Sequence, residues 1–154
     1  GDGIMDRYKP SLIFVFLSCL ATSPVSAAPF VAPFTITPED IIFVADGDTF
    51  YMTCRKGLYC KKGKLGVRPP GLDTPEIKGK CPEEIKRAKQ AKAFTSNFFK
   101  RASRIELTPL VGRPYDKYKR LLAQVSVDGQ DWTSAIIAAE LGRRYGTGRR
   151  SWCD

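Results

Sequence analysis

The chain has 154 residues, 43% of them hydrophobic, which suits one compact domain with a core and is too short for two ordinary domains. Lys and Arg number 25 against 16 Asp and Glu, and the formal net charge of +9 favours polyanionic partners such as nucleic acid, acidic polysaccharide or anionic lipid. With no histidine, Ser-His-Asp and Cys-His nucleophilic pairs, histidine bases and His-bearing metal triads are excluded, so any catalysis must run on carboxylates, arginine, lysine, tyrosine or an oxygen-bound metal.

Residues 1–27 read as a signal peptide, with 1–4 as a start-site artefact ahead of Met5. Arg7 and Lys9 precede the apolar run "LIFVFLSCLA" (12–21), and Pro24 and "VSA" (25–27) follow. The run is about half the ~20 residues that span a bilayer, which argues against a retained anchor. Phe16 argues against lipid modification of Cys19. Removing residues 1–27 leaves the net charge unchanged, because Asp2 and Asp6 cancel Arg7 and Lys9. The expected location is secreted or periplasmic. In such an oxidising compartment Cys54, Cys60, Cys81 and Cys153 form an even set with three possible pairings. The favoured pairing is Cys54–Cys60, stapling a hairpin, with Cys81–Cys153, tying the start of a helix to the tail. A zinc site is the weaker rival, because the chain has no C-x-x-C and no histidine.

Residues 28–40, with Pro29, Pro33 and Pro38, read as an extended lead-in to one domain over 41–154. "IIFVADGDTFYMTC" (41–54) is two β-rich runs around Asp46-Gly47, a hairpin signal resting on glycine's tolerance of positive φ. A basic, glycine-rich excursion covers 54–66. "VRPPGLD" (67–73) is a short strand that its prolines must cut or place on an edge. The spacing predicts a helix over 82–102, with Pro82 at its first position, Glu83 and Glu84 as helix-end acids, and an apolar stripe of Ile85, Ala88, Ala91, Phe94, Phe98 and Ala102. Strands are expected at 104–110 and 120–127, the second ending in the Asp128-Gly129 turn. A second helix is expected over 131–142, capped by Asp131 and stopped by Gly142, before a basic, irregular tail. Three strands, a helix, two strands and a helix suggest an α+β, mainly β fold: a five-stranded OB-type barrel with two to three helices.

Near the strand ends stand Asp48, Arg68, Asp73, Thr74, Glu76 and Arg120. Carboxylates and carbonyls suit a hard cation such as Ca²⁺. Arginine grips phosphate with a two-pronged, permanently charged group. Phosphodiester cleavage needs a positioned water, a base and cations around the phosphate, and this inventory supplies them without histidine.

"VADGDT" (44–49), "VRPPGLDTPE" (67–76) and "YDKYKR" (115–120), in that order with a helix between the last two, resemble the staphylococcal-nuclease (thermonuclease) family over about residues 41–145. The resemblance implies that Asp48 and Asp73 ligate one Ca²⁺ with the Thr74 main-chain carbonyl, and that Glu76 stands beside the attacking water. It implies that Arg68 and Arg120 contact the phosphate and that Lys117 and Tyr118 border the nucleotide pocket. It further implies an endonuclease acting on DNA and RNA with little sequence preference and leaving 3′-phosphates. No stable protein partner is implied, so a monomer is expected.

Two positions depart from the family pattern: Pro69-Pro70 follow Arg68 where aliphatic residues are usual, and Lys119 replaces the usual glycine before Arg120. Asp46 is read as a turn former only, and Phe94, Phe98 and Phe99 as core or near-core. The rival functions are an inactive OB-type nucleic-acid-binding domain and a basic secreted module for another polyanion.

Overall fold

The structure, a computed structural model, describes residues 29–146 and 150–153; the expected signal peptide lies outside the described residues. The lead-in contains β1 (Phe34–Ile36) and a 3-10 turn over Pro38–Asp40. Then come β2 (Ile41–Asp46), β3 (Thr49–Thr53), β4 (Lys64–Arg68), β5 (Leu72–Asp73) and the helix α1 (Pro82–Lys100). The second half holds β6 (Ile105–Pro109), β7 (Leu121–Val127), β8 (Gln130–Asp131), the helix α2 (Trp132–Ala138) and β9 (Arg143–Arg144).

The fold is α+β with a mixed sheet of order β1-β6-β7-β4-β3-β2, β8 adding to β7 and β5 pairing β9 apart from it. The β4–β7 pair is parallel, while the other ladders are antiparallel. No ladder among the described residues joins β1 to β2, so the sheet is not closed into a barrel. Residues 28–40 are more than a lead-in: β1 pairs with β6, and Ile36 reaches the core.

Alternation along the strands decides which side chains enter that core. Phe50 and Met52 of β3, Leu65 and Val67 of β4, and Leu121, Ala123 and Val125 of β7 are buried. Thr49 and Tyr51, with Lys64, Gly66 and Arg68, therefore belong to the opposite face. The prolines cut the expected strand at Arg68, and Pro70 followed by Gly71 at φ +70° is the residue signature of a type II turn.

Helix α1 starts at Pro82 as expected, but its buried stripe is rotated to Glu84, Ala88, Ala91, Thr95 and Phe99. Two alanines in that stripe let the helix close onto the β2–β3 turn. Asp46 pairs with Thr49, so the turn residues are Gly47 and Asp48. Gly47 is not in the positive-φ region; what it supplies is space, because a side-chain carbon there would lie 2.6 Å from Ala91 Cβ. Phe50, Phe99 and Trp132 interlock where both helices meet the sheet, with ring centroids 4.9–5.8 Å apart.

Asp131 caps α2 by accepting from the Ser134 N–H at 2.7 Å, as expected. The helix ends at Ala138, earlier than the expected 142, and the reversal falls on Glu140 at φ +60°. Gly142 is again a matter of room, its missing side chain facing Leu72 at 3.0 Å. The disulfides are Cys54–Cys60 and Cys81–Cys153. Among the described residues no helix is long and apolar enough to cross a membrane.

Candidate active site

The three segments "VADGDT", "VRPPGLDTPE" and "YDKYKR" meet in one cleft of about 850 Å³. Asp48, Arg68, Asp73, Thr74, Glu76, Lys117, Tyr118 and Arg120 all line it. The parallel β4–β7 pairing is what brings the second and third segments together, setting Arg68 opposite Leu122.

Asp48 sits in the β2–β3 turn with only 5% of its surface exposed. Its Oδ1 accepts from the Thr49 hydroxyl at 2.9 Å, and its Oδ2 meets the Arg68 guanidinium at 2.7 Å. Burial nevertheless pushes the Asp48 carboxyl above the ordinary aspartate range, outweighing the neighbouring Arg68 charge. Arg68 also donates to the Leu72 carbonyl at 2.8 Å, across the Pro70-Gly71 turn. The prolines thus fall beyond the strand and leave its guanidinium in the cleft.

Arg120 is held by its own turn. Asp116 accepts from the backbone N–H groups of Tyr118 and Arg120, and its Oδ2 takes the Arg120 Nε at 2.7 Å. Burial works against the Asp116 charge, but these donors outweigh it and hold the carboxyl below its ordinary range. Lys119, the departure from the family pattern, occupies the turn at φ +64°, a conformation that favours the glycine it replaces. Arg120 reaches the Thr49 hydroxyl at 3.4 Å, which links it to Asp48. Its guanidinium carbon lies 5.3 Å from the Tyr118 ring centroid, and Tyr118 is exposed.

Asp73 is as buried as Asp48 but is held from the far end of the chain. Its Oδ2 accepts from Arg143 Nε at 3.0 Å and from Trp152 Nε1 at 3.2 Å. The Arg143 guanidinium lies 3.9 Å from the Trp152 ring centroid and donates onward to the carbonyls of Arg150 and Ser151. Both bonds to Asp73 fall on the same oxygen. Next to it, the buried Thr74 hydroxyl has no hydrogen-bond partner among the described residues.

Glu76 is exposed at the cleft margin. The loop that carries it is organised by Glu84, whose carboxylate accepts from the Glu76 N–H at 3.3 Å and the Lys80 N–H at 2.9 Å. Gly79 makes room for this, since a side-chain carbon there would lie 2.6 Å from Glu84 Cγ. Glu84 is therefore a buried loop anchor as well as a helix-end acid. Thr95 plays the matching part for Asp48: it donates to the Gly47 carbonyl at 2.7 Å and accepts from Trp132 Nε1 at 3.2 Å.

Sequence reasoning passed over several of these groups. Asp46, a turn former by its sequence position, also lines the cleft and accepts from the Ile77 N–H at 3.4 Å. Arg113 and Asp116 line it too. Asp116 lies inside the quoted "YDKYKR", where its spacing from Arg120 was the available signal. Arg143 and Trp152 carried no local signal, being brought in only by tertiary contacts. Cys81, Glu84 and Cys153 cluster as well, but both sulfurs are committed to a disulfide and cannot act as thiolate ligands.

The cleft thus gathers carboxylate oxygens and an unsatisfied hydroxyl, a donor set of the kind hard cations take, between arginines suited to a phosphate. Comparison with models of known protein families gives no match, and comparison with curated proteins gives none either.

Proposed function

We propose that the chain is an exported, Ca²⁺-dependent nuclease of the thermonuclease type that hydrolyses phosphodiester bonds of DNA and RNA. The supporting observation is convergence: eight residues chosen from three separate motifs line one cleft. Asp48, Asp73 and the Thr74 carbonyl would hold one Ca²⁺, and the orphaned Thr74 hydroxyl fits a polar ligand beside it. When bound, the ion supplies positive charge against the phosphate oxygens. Arg68 and Arg120 grip the same phosphate, each aimed by a carboxylate. Glu76 takes a proton from water as its oxygen attacks phosphorus, and the bond to the 5′-oxygen breaks, that oxygen taking up a proton from solvent, which gives a 5′-hydroxyl and the 3′-phosphate that the motif resemblance implies. Lys117 and Tyr118 border the nucleotide.

The finer fold reading, an OB-type barrel, belongs to this proposal. Its support is that β1 and β2, the two ends of the sheet path, are tethered through residues 37–40. The two disulfides are compatible with secretion or a periplasmic location. The protein acts as a monomer with no stable protein partner.

The test is incubation of plasmid and of RNA with Ca²⁺ and with chelator, followed by single-turnover cleavage. Both substrates are cut only with Ca²⁺. Glu76→Gln lowers the rate about 10²–10⁴-fold. Arg120→Lys, which keeps the charge and loses the fork, lowers it about 10²-fold or more. Binding of nucleic acid without cleavage by any divalent metal would make the protein a binding module instead. Retention only by an acidic polysaccharide would make it a module for that polymer.

A further inference from the structure

Beside the cleft, on the sheet face opposite the core, lies an aromatic pair that the nuclease chemistry does not use. Phe43 of β2 and Tyr51 of β3 are direct cross-strand partners, with ring centroids 4.8 Å apart and planes inclined by 17°. A cross-strand stack of this kind stabilises a hairpin wherever it occurs. Three further observations point to a ligand. Phe43 is 43% exposed, a large apolar ring open to solvent on the same sheet face as the cleft arginine Arg68. The Lys64 ammonium lies over its ring, 5.5 Å from the centroid, so a cation stands at the stack. Gly66 joins the pair to the cleft: a side-chain carbon there would lie 3.0 Å from Arg120 Cγ and 3.1 Å from Tyr51 Cε1. Because that side chain is missing, the Tyr51 ring and the Arg120 stem sit side by side. Cation, ring pair and phosphate-binding arginine therefore form one continuous strip.

We infer that Phe43 and Tyr51 form a nucleobase-stacking subsite for single-stranded nucleic acid next to the phosphate held by Arg120. The inference rests on the nucleic-acid reading of the cleft and goes beyond it by selecting the strand state of the substrate. An unpaired base offers a free face to the rings, with Lys64 and Arg120 meeting the flanking phosphates. In a duplex the bases stack on one another and cannot reach the platform. Such contacts tolerate any base, in keeping with little sequence preference.

The test is binding in chelator, where cleavage is suppressed, to labelled oligo(dT), to an abasic strand of the same length and to the matching duplex. Wild type binds oligo(dT) roughly tenfold more tightly than the abasic strand, the range expected for one or two stacked bases. Phe43→Leu keeps the apolar volume and loses the ring, and it brings oligo(dT) down to the abasic level while duplex binding stays unchanged. Tyr51→Leu does the same, and circular dichroism melts establish that both variants fold. Equal binding of oligo(dT) and the abasic strand by wild type would overturn the subsite, as would full base preference in folded Phe43→Leu. The two readings fail separately. Ca²⁺-dependent cleavage without base preference removes the platform and leaves the nuclease, whereas base preference without cleavage removes the nuclease and leaves the platform.

Discussion

Asp48 and Asp73 face the same cleft at the same depth, each 5% exposed, yet different parts of the chain hold them. Asp48 takes its partners from the adjacent residue Thr49 and from β4, the strand next to its hairpin. Asp73 takes its partners from 70 and 79 residues away, Arg143 and Trp152. One half of the site is complete once the β2–β3–β4 meander and its covering helix have formed. The other half exists only when the tail returns, pinned by Cys81–Cys153 at the start of α1. Closure of that long loop is what the second half costs in entropy, and the disulfide is placed to offset it.

The strongest way to break the comparison is to free the tail. Cys81→Ser with Cys153→Ser opens a tie spanning 72 residues, worth about 4 kcal/mol in the chain-entropy account; Cys54–Cys60 spans 6 residues and is worth about 2 kcal/mol. Denaturant melts are expected in that order, and calorimetric titration is expected to show weaker Ca²⁺ binding in the first double variant alone. Equal loss of Ca²⁺ affinity in both would mean that the tail does not define the Asp73 half.

A second test sharpens the Asp48 side. Ca²⁺ at a hundredfold excess over its Kd is expected to stabilise wild type by about 2.7 kcal/mol, and Asp48→Asn to abolish that gain. The same variant is expected to melt above metal-free wild type. A carboxyl whose folded pKa is raised contributes stability that is full below its unfolded pKa of about 4 and is lost as pH rises through the folded value. Above that folded value the ionised Asp48 is therefore a cost, which asparagine removes. A lower metal-free midpoint would show that the Arg68 pair outweighs the burial.

Asp73→Asn is expected to have the opposite sign. It keeps an acceptor for Trp152 but removes the charge that Arg143 meets, a loss of about 2 kcal/mol for a hydrogen bond to a charged group. The smallest effects come from one strained turn in each half, Lys119 at φ +64° before Arg120 and Glu140 at φ +60° before Arg143. Glycine at either is expected to stabilise by up to about 1 kcal/mol, left-handed strain relieved less the added flexibility of the unfolded chain. A destabilised Lys119→Gly would show that the lysine side chain, 5.5 Å from the Tyr59 ring centroid, matters more than its backbone.

Much of the site was legible because its chemistry is carried by short motifs. Asp48, Arg68, Asp73, Thr74, Glu76, Lys117, Tyr118 and Arg120 were named from three segments, and the fold brings all of them to one cleft. The helix starts were legible for the same reason, since Pro82 and Asp131 act on backbone groups within one turn of themselves. The two disulfides followed from counting cysteines in a chain expected to be exported, with one pairing favoured among three.

Other features lay beyond local reading. The helical periodicity marked the large apolar residues of α1, but burial went to the face with Ala88 and Ala91, because small side chains allow the β2–β3 turn to approach. Glu84 and Thr95 lie on that face, and their work is visible only in the backbone groups they meet, Glu76 and Lys80 for one and Gly47 for the other. β1 escaped notice because a three-residue strand gains its identity from its partner β6. The strand order β1-β6-β7-β4-β3-β2 was not legible either, since pairing between strands distant in sequence is a property of the assembled chain.

Sequence by itself determined which chemical groups this protein has to work with, where its helices start, and that histidine takes no part in its chemistry; these follow from residue identity and from spacings of a few positions. Tertiary structure alone decided that Arg143 and Trp152 would hold Asp73, that Gly47 was needed for room and not for its φ, and that Tyr51 would lie beside Arg120. Each of those depends on which surfaces meet when apolar area is buried, and contacts between residues far apart in the chain leave no periodic mark on it.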